Sequence, residues 1–198
     1  MRKAVFLDRD GTLNKLVYDG QRSESHPPFF PEDLILLEGA EEALHRLISE
    51  GYLLFVITNQ PDHAKGKTAL ENIKAVEDNF KLIMKRKGVA LAGYYACYHH
   101  PEGVETEYAI KCGCRKPGTL FVDKAVNEFD IDRGASWFVG DRVSDVECGR
   151  RSGMRTVLLT GGQDEHLSQS VNATVTAQSL SIAAELITQA NKKAECHQ

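Results

Sequence analysis

The sequence has no apolar run near the ~20 residues that a helix needs to cross a bilayer, so a helical membrane protein is excluded. It also lacks a basic excess. Lys and Arg number 24 against 28 Asp and Glu, a formal net charge of −4 at pH 7 with a sequence pI near 6.0. A general nucleic-acid binder needs such an excess to neutralise phosphates, so neither nucleic acid nor membrane is an expected partner. There is no internal repeat and no low-complexity segment. The N-terminal stretch from Met1 reaches a carboxylate, Asp8, after the short apolar run Ala4-Val5-Phe6-Leu7. That is too short for a signal-peptide core, and the expected location is the cytoplasm. The five cysteines are an odd number, and in a cytoplasmic setting they favour metal ligation or free thiols over disulfides. What remains is ordinary for a soluble globular chain: 198 residues, 42% hydrophobic and 26% charged. That length suits a single domain over 1–198, expected to be monomeric, with enough core to fold without staples.

Short apolar runs alternate with helical stripes. Ala4–Leu7 reads as a buried strand that ends on acidic residues. Residues 14–38, with Gly20, Pro27, Pro28 and Pro31, lack a period and read as a long loop with a short hairpin. Ala40, Ala43, Leu44, Leu47 and Ile48 form a helical stripe that Gly51 stops. Leu53–Ile57 is a second strand, ending at Thr58-Asn59-Gln60. A helix follows through Leu70, Ile73, Val76, Phe80 and Met84, closed by Gly88. Gly93–Ala96 is a third strand, residues 119–129 a helix, and Ser136–Val139 a fourth strand ending in Gly140-Asp141. After another helix comes a fifth strand, Thr156–Leu159, then an amphipathic helix near residues 179–190. Trp137 reads as strand core, Cys148 as a small buried hydrophobe and Cys196 as an exposed bystander. This alternation predicts an α/β doubly wound parallel sheet, Rossmann-like, with ligands beyond the carboxyl ends of the strands.

Those strand ends carry the polar residues. Asp8 and Asp10 flank Arg9 and lead into Gly11. One carboxylate can act as nucleophile towards a phosphoryl group, and its neighbour can protonate the leaving oxygen and later activate water. Thr58 offers a hydroxyl, and Lys116, beside Arg115 and before Pro117, a fixed cation for phosphoryl oxygens. Asp8 and Asp141 are hard oxygen donors that suit Mg²⁺, with Asp145 either a ligand or a carboxylate that holds a metal-bound water.

The cysteines supply a second signal. Cys97-x-His99, twelve residues, then Cys112-x-Cys114 makes a Cys₃His set suited to tetrahedral Zn²⁺. His100 is the alternative ligand to His99. Four protein ligands leave no open position, so the expected role is structural, a zinc staple for the loop at about 97–117. Cys114 runs straight into Arg115-Lys116.

The stretch Phe6-Leu7-Asp8-Arg9-Asp10-Gly11-Thr12, followed in order by Thr58, Lys116 and Gly140-Asp141, resembles the four motifs of the haloacid dehalogenase-like phosphatases. The resemblance implies a Mg²⁺-dependent phosphatase with Asp8 as nucleophile and Asp10 as general acid/base. Thr58 and Lys116 would stabilise the phosphoryl group, and the ion would sit on Asp8, the Asp10 main-chain carbonyl and Asp141. Cys97-Tyr98-His99-His100-Pro101 with Cys112-Gly113-Cys114-Arg115-Lys116-Pro117 resembles, within that family, the branch acting on a heptose 1,7-bisphosphate for surface-glycan synthesis. The histidinol-phosphate phosphatases, which share Arg142, are the alternative. By the same resemblance Arg115 contacts the phosphorylated sugar, Asn59 and Gln60 line the pocket, and Arg142 joins them. The branch usually has Ser-Gly after Thr-Asn-Gln, where this chain has Pro61-Asp62. The stretches 15–31 and 97–117 are too short for a separate cap domain, so no large cap is expected. His63 is a candidate substrate contact. His26 and His45 have no evident partner.

Overall fold

The structure is a computed structural model that describes residues 1–21, 23–161 and 172–195. Six parallel strands form the sheet. β1 is Ala4–Leu7, and β2 (Val17–Asp19) and β3 (Glu24–His26) make a separate antiparallel hairpin. A 3₁₀ turn at Pro31–Asp33 leads to α1, Ala40–Ser49. There follow β4 (Leu53–Asn59), α2 (Leu70–Arg86), β5 (Leu91–Cys97) and α3 (Leu120–Phe129). The chain continues with β6 (Trp137–Gly140), α4 (Val143–Arg151), β7 (Arg155–Leu159), β8 (Val175–Ala177) and α5 (Leu180–Glu195). Strand order is β5-β4-β1-β6-β7-β8.

That order explains where the site lies. From β1 the chain adds β4 and β5 on one side, then returns to add β6, β7 and β8 on the other. The reversal falls between β1 and β6, and the parallel register Val5↔Trp137 to Leu7↔Val139 brings Asp8 beside the end of β6. Asp8 N–H continues the ladder to Val139 O at 2.9 Å. Open parallel sheets leave a crevice at such a switch point.

Alternating strand residues feed two cores. Val5, Leu7, Leu54, Val56, Trp137 and Val139 meet apolar positions of α1, α2 and α5, among them Leu44, Val76 and Ile187. Ala4, Phe6, Phe55, Ile57 and Phe138 meet Val122 and Ala125 of α3 and Cys148 of α4. Phe6 stacks on Phe55 at 5.0 Å and on Phe138 at 6.2 Å, so one ring ties three strands together. Trp137 and Cys148 are core, as expected from the sequence; Cys196 lies outside the described residues.

The structure differs from the sequence reading at the sheet edges. β5 begins at Leu91 rather than Gly93, and β8 extends the sheet beyond β7. β8, at three residues, is too short for a period to be read. α5 runs to Glu195, past the predicted end. The hairpin expected between residues 14 and 38 is present, and among the described residues it is the only strand pair outside the main sheet.

Candidate active site

Asp8 emerges from β1 into a cleft of about 250 Å³. Its Oδ1 accepts the Arg9 N–H at 2.7 Å and lies 2.7 Å from Lys116 Nζ. Lys116 is equally 2.7 Å from Asp145 Oδ1, so one buried ammonium bridges two buried carboxylates. Burial alone would lower the Lys116 pKa, but Asp145 and Asp8 outweigh it and hold the group protonated. Arg115 and Lys116 both line the cleft. Lys116 is positioned from β4, where Asn59 accepts the Lys116 N–H at 3.0 Å and donates to its carbonyl at 3.2 Å.

Asp10 also lines the cleft, and its carboxylate is held on both oxygens. Oδ1 accepts from Arg9 Nε at 3.1 Å and from Asn14 at 3.0 Å. Oδ2 accepts from Arg9 Nη2 at 3.0 Å and from Gln60 at 2.5 Å. Arg9 is fully buried and reaches on to Tyr94 Oη at 3.0 Å. Desolvation opposes its charge, but Asp10 raises the pKa further. Gln60 departs from the expectation. It is buried, and its amide is committed to Asp10 and to Thr58 Oγ1 (2.8 Å), so it orders catalytic candidates instead of lining the pocket. Spacing puts Gln60 near the site but does not say which way its amide turns.

Asp8, Asp141 and Asp145 each place a carboxylate oxygen within 4.8 Å of the others. Burial, then Asp8 and Asp145, push Asp141 up to about 7. Burial likewise raises Asp145 to about 6 although Lys116 pulls it down. Two glycines make the close approach possible. A Cβ on Gly11, at φ +86°, would stand 2.4 Å from Asp141 Oδ2, and one on Gly140 would stand 2.3 Å from Asp145 Oδ2. Asp145 has both oxygens engaged, since Oδ2 accepts the Arg142 N–H at 3.0 Å and closes the start of α4.

The second cluster forms where β5 ends. Cys97, His99, Cys112 and Cys114 converge. The Cys97–Cys112 and Cys112–Cys114 sulfur pairs are 3.6 and 3.2 Å apart, and His99 Nδ1 is 3.7 and 3.4 Å from Cys97 and Cys114. A tetrahedron with 2.3 Å metal–sulfur bonds has edges of about 3.8 Å, so one ion fits among these atoms with small adjustment. His99, not His100, belongs to the set: His100 Nδ1 accepts the Glu102 N–H instead. Burial pushes the Cys97 thiol up, and a metal would reverse that by favouring thiolate.

Several cleft residues carried no signal in the sequence motifs. His26 comes from the hairpin, and Asp62, Lys65 and Lys67 from the turn after β4. His63 does not line the cleft; its ring packs edge-on against Tyr108 at 5.0 Å. His45 Nε2 lies 2.9 Å from Lys87 O, far from the site in sequence and fold.

The HAD-hydrolase-like family model matches residues 113–183. A D-glycero-D-manno-heptose-1,7-bisphosphate 7-phosphatase of Chlorobaculum tepidum is 33% identical, over 82% of this chain and 81% of that protein. A D-glycero-beta-D-manno-heptose-1,7-bisphosphate 7-phosphatase of Pasteurella multocida is 37% identical, over 82% and 84%. A D-glycero-alpha-D-manno-heptose-1,7-bisphosphate 7-phosphatase of Burkholderia mallei is 35% identical, over 82% of each. Among solved structures, a D,D-heptose 1,7-bisphosphate phosphatase from B. bronchiseptica, complexed with magnesium and phosphate, superposes with a TM-score of 0.77 at 25% identity. The match covers 95% of this chain and 99% of that one.

Proposed function

The chain belongs to the haloacid dehalogenase-like phosphatases, which are phosphoric monoester hydrolases, and from that premise we propose that it removes the 7-phosphate of D-glycero-D-manno-heptose 1,7-bisphosphate through an aspartyl-phosphate. The reading puts the enzyme in the cytoplasm as a monomer, in the synthesis of nucleotide-activated heptose for surface glycans. The observation that carries it is the convergence of Asp8, Lys116 and Asp141 at the switch point.

Asp8 is the nucleophile. Its Oδ1 is occupied by Arg9 N–H and Lys116, which leaves Oδ2 to form the bond to phosphorus as the ester P–O bond breaks. Asp10 delivers a proton to the departing sugar oxygen. In the second half, water attacks phosphorus, Asp10 takes its proton, and the Asp8–phosphorus bond breaks to release inorganic phosphate. The proton-bearing form of Asp10 has to release one of the donors it now accepts from, Arg9 or Gln60. Thr58 and Lys116 hold the equatorial phosphoryl oxygens. Asn59 positions Lys116, while Arg115 and Arg142 contact the substrate.

The donor set fits Mg²⁺: hard carboxylate oxygens gathered in one place, with Asp141 held from ionising by burial and by Asp8. Asp8, the Asp10 carbonyl and Asp141 would be its ligands. Asp145, saturated by Lys116 and Arg142, would act behind them. Mg²⁺ bound there supplies the charge that offsets the phosphate. Cys97, His99, Cys112 and Cys114 would hold Zn²⁺ as a structural ion that fixes the segment leading to Lys116.

Arg142 favours a second reading, histidinol phosphate as substrate. The deciding experiment is Mg²⁺-dependent phosphate release from both anomers of the heptose bisphosphate beside histidinol phosphate, with Asp8→Asn as the blank. Preference for a heptose anomer is the expected result. Preference for histidinol phosphate would sink the substrate assignment, and full activity in Asp8→Asn would sink the mechanism.

A further inference from the structure

The turn after β4 is built to hold one shape. Lys65 N–H bonds to Pro61 O at 2.9 Å, Lys67 N–H to Asp62 O at 2.8 Å, and Gly66 takes φ +68°. From the metal-cluster loop, the N–H groups of Val104 and Glu105 both reach Ala64 O, at 2.7 and 3.1 Å. Asp62 sits on this turn, 6% exposed, and lines the cleft. Its carboxylate makes no hydrogen bond or ion pair with any described side chain. Its oxygens keep contact only with the cleft, and burial of the rest of the group pushes its pKa up even though Lys67 and Lys65 oppose this. Such a group, at a fixed place in a cleft, calls for a donor that arrives with the ligand.

The surroundings decide which donor. Lys65, Lys67, Arg115 and Arg142 line the same cleft and already provide the positive charge. They repel an ammonium group and attract phosphate, which Asp62 itself would repel. A neutral donor satisfies both constraints. His26, across the cleft, directs Nδ1 at Pro27 O (2.7 Å) and does not serve Asp62 through that atom.

We propose that Asp62 is a specificity-determining residue whose carboxylate accepts hydrogen bonds from hydroxyls of a polyhydroxylated phosphate ester in the cleft. The proposal rests on the phosphatase reading above and names the part of the substrate this wall selects. A vicinal pair of hydroxyls can donate one bond to each carboxylate oxygen. The phosphoryl group is left to Asp8, Thr58 and Lys116.

The test compares wild type, Asp62→Ala and Asp62→Asn with magnesium present. The substrates are both heptose 1,7-bisphosphate anomers, fructose 1,6-bisphosphate, sorbitol 6-phosphate, histidinol phosphate and p-nitrophenyl phosphate, which has no aliphatic hydroxyl. The quantity read is kcat/KM on the best polyol ester relative to that on p-nitrophenyl phosphate. Asp62→Ala is expected to lower this ratio about 10- to 100-fold, chiefly through KM, with Asp62→Asn recovering part of it. An unchanged ratio overturns the proposal, as does a loss confined to histidinol phosphate or a wild type that turns over no polyol ester. Should Asp62→Ala fail to fold, Asp62→Leu takes its place, since it fills the same space without an acceptor and a ratio equal to wild type excludes the role. Failure of the heptose assignment is seen separately: fructose 1,6-bisphosphate or sorbitol 6-phosphate would be the best ester and still depend on Asp62.

Discussion

Lys116 is wedged between Asp8 and Asp145, so removing its charge does two kinds of damage. Lys116→Met leaves two buried carboxylates without their counter-ion, and breaking such a set costs about 3–5 kcal/mol. The expected outcome is a large drop in melting temperature together with a loss of turnover of at least ~10²-fold, read by calorimetry and phosphate release. Lys116→Arg is expected not to restore turnover, because a forked guanidinium cannot occupy a point-charge position between two oxygens 2.7 Å away. Asp141 and Asp145 set a pH dependence. Unfolded, they ionise near 3.8; folded, they hold protons up to about 7 and about 6. The folded form binds more protons in that window, so the metal-free protein loses stability as pH rises from about 4 to about 7. Mg²⁺ needs the ionised forms, so its stabilising shift grows over the same range. Melting curves in chelator and in Mg²⁺ at several pH values check this, and a metal-free stability that climbs across the window would contradict it. Much of this residue-level picture was legible in the sequence, because motif order placed Asp8, Thr58 and Asp141 at strand ends and Lys116 in the loop that follows the cysteine pair. Gln60 and Asp62 were not, since spacing does not report which polar groups a side chain has already satisfied.

At the scale of elements, α1 and α2 follow from their stripes, and their glycine stops take positive φ at Gly51 and Gly88. The edge strands were harder to read. β8 has three residues, too few for alternation to emerge. The cysteine cluster connects the end of β5 to the segment carrying Arg115 and Lys116, and was readable because three cysteines and a histidine fell at paired spacing. Replacing one sulfur tests the connection. Cys114→Ser is expected to lower bound zinc from about one ion per chain to well below one, by elemental analysis, and to lower kcat by at least ~10-fold. Zinc retained in full would remove the cluster from its proposed role.

For the whole molecule, two apolar layers pressed on one sheet hold the strand ends in register. Phe6 shows how narrow the margin is: it is fully buried, stacks on rings from two neighbouring strands and lies two residues before Asp8. Phe6→Ala is expected to cost about 3–5 kcal/mol, against a total of about 5–15 for a typical domain. Chemical denaturation measures the loss directly, and a cost below about 1 kcal/mol would mean that the site does not depend on this core.

The paired bonds from the Asn59 amide to both backbone groups of Lys116 copy a rung of sheet with a side chain. Together with Cys97 at the end of β5, they moor both ends of the intervening loop. Residues 101–110 touch the turn bearing Asp62 at Ala64 and, through Tyr108, at His63. Insertions or deletions drifting through that middle would therefore retune substrate choice while sparing the reaction, which separates innovation from chemistry along the chain.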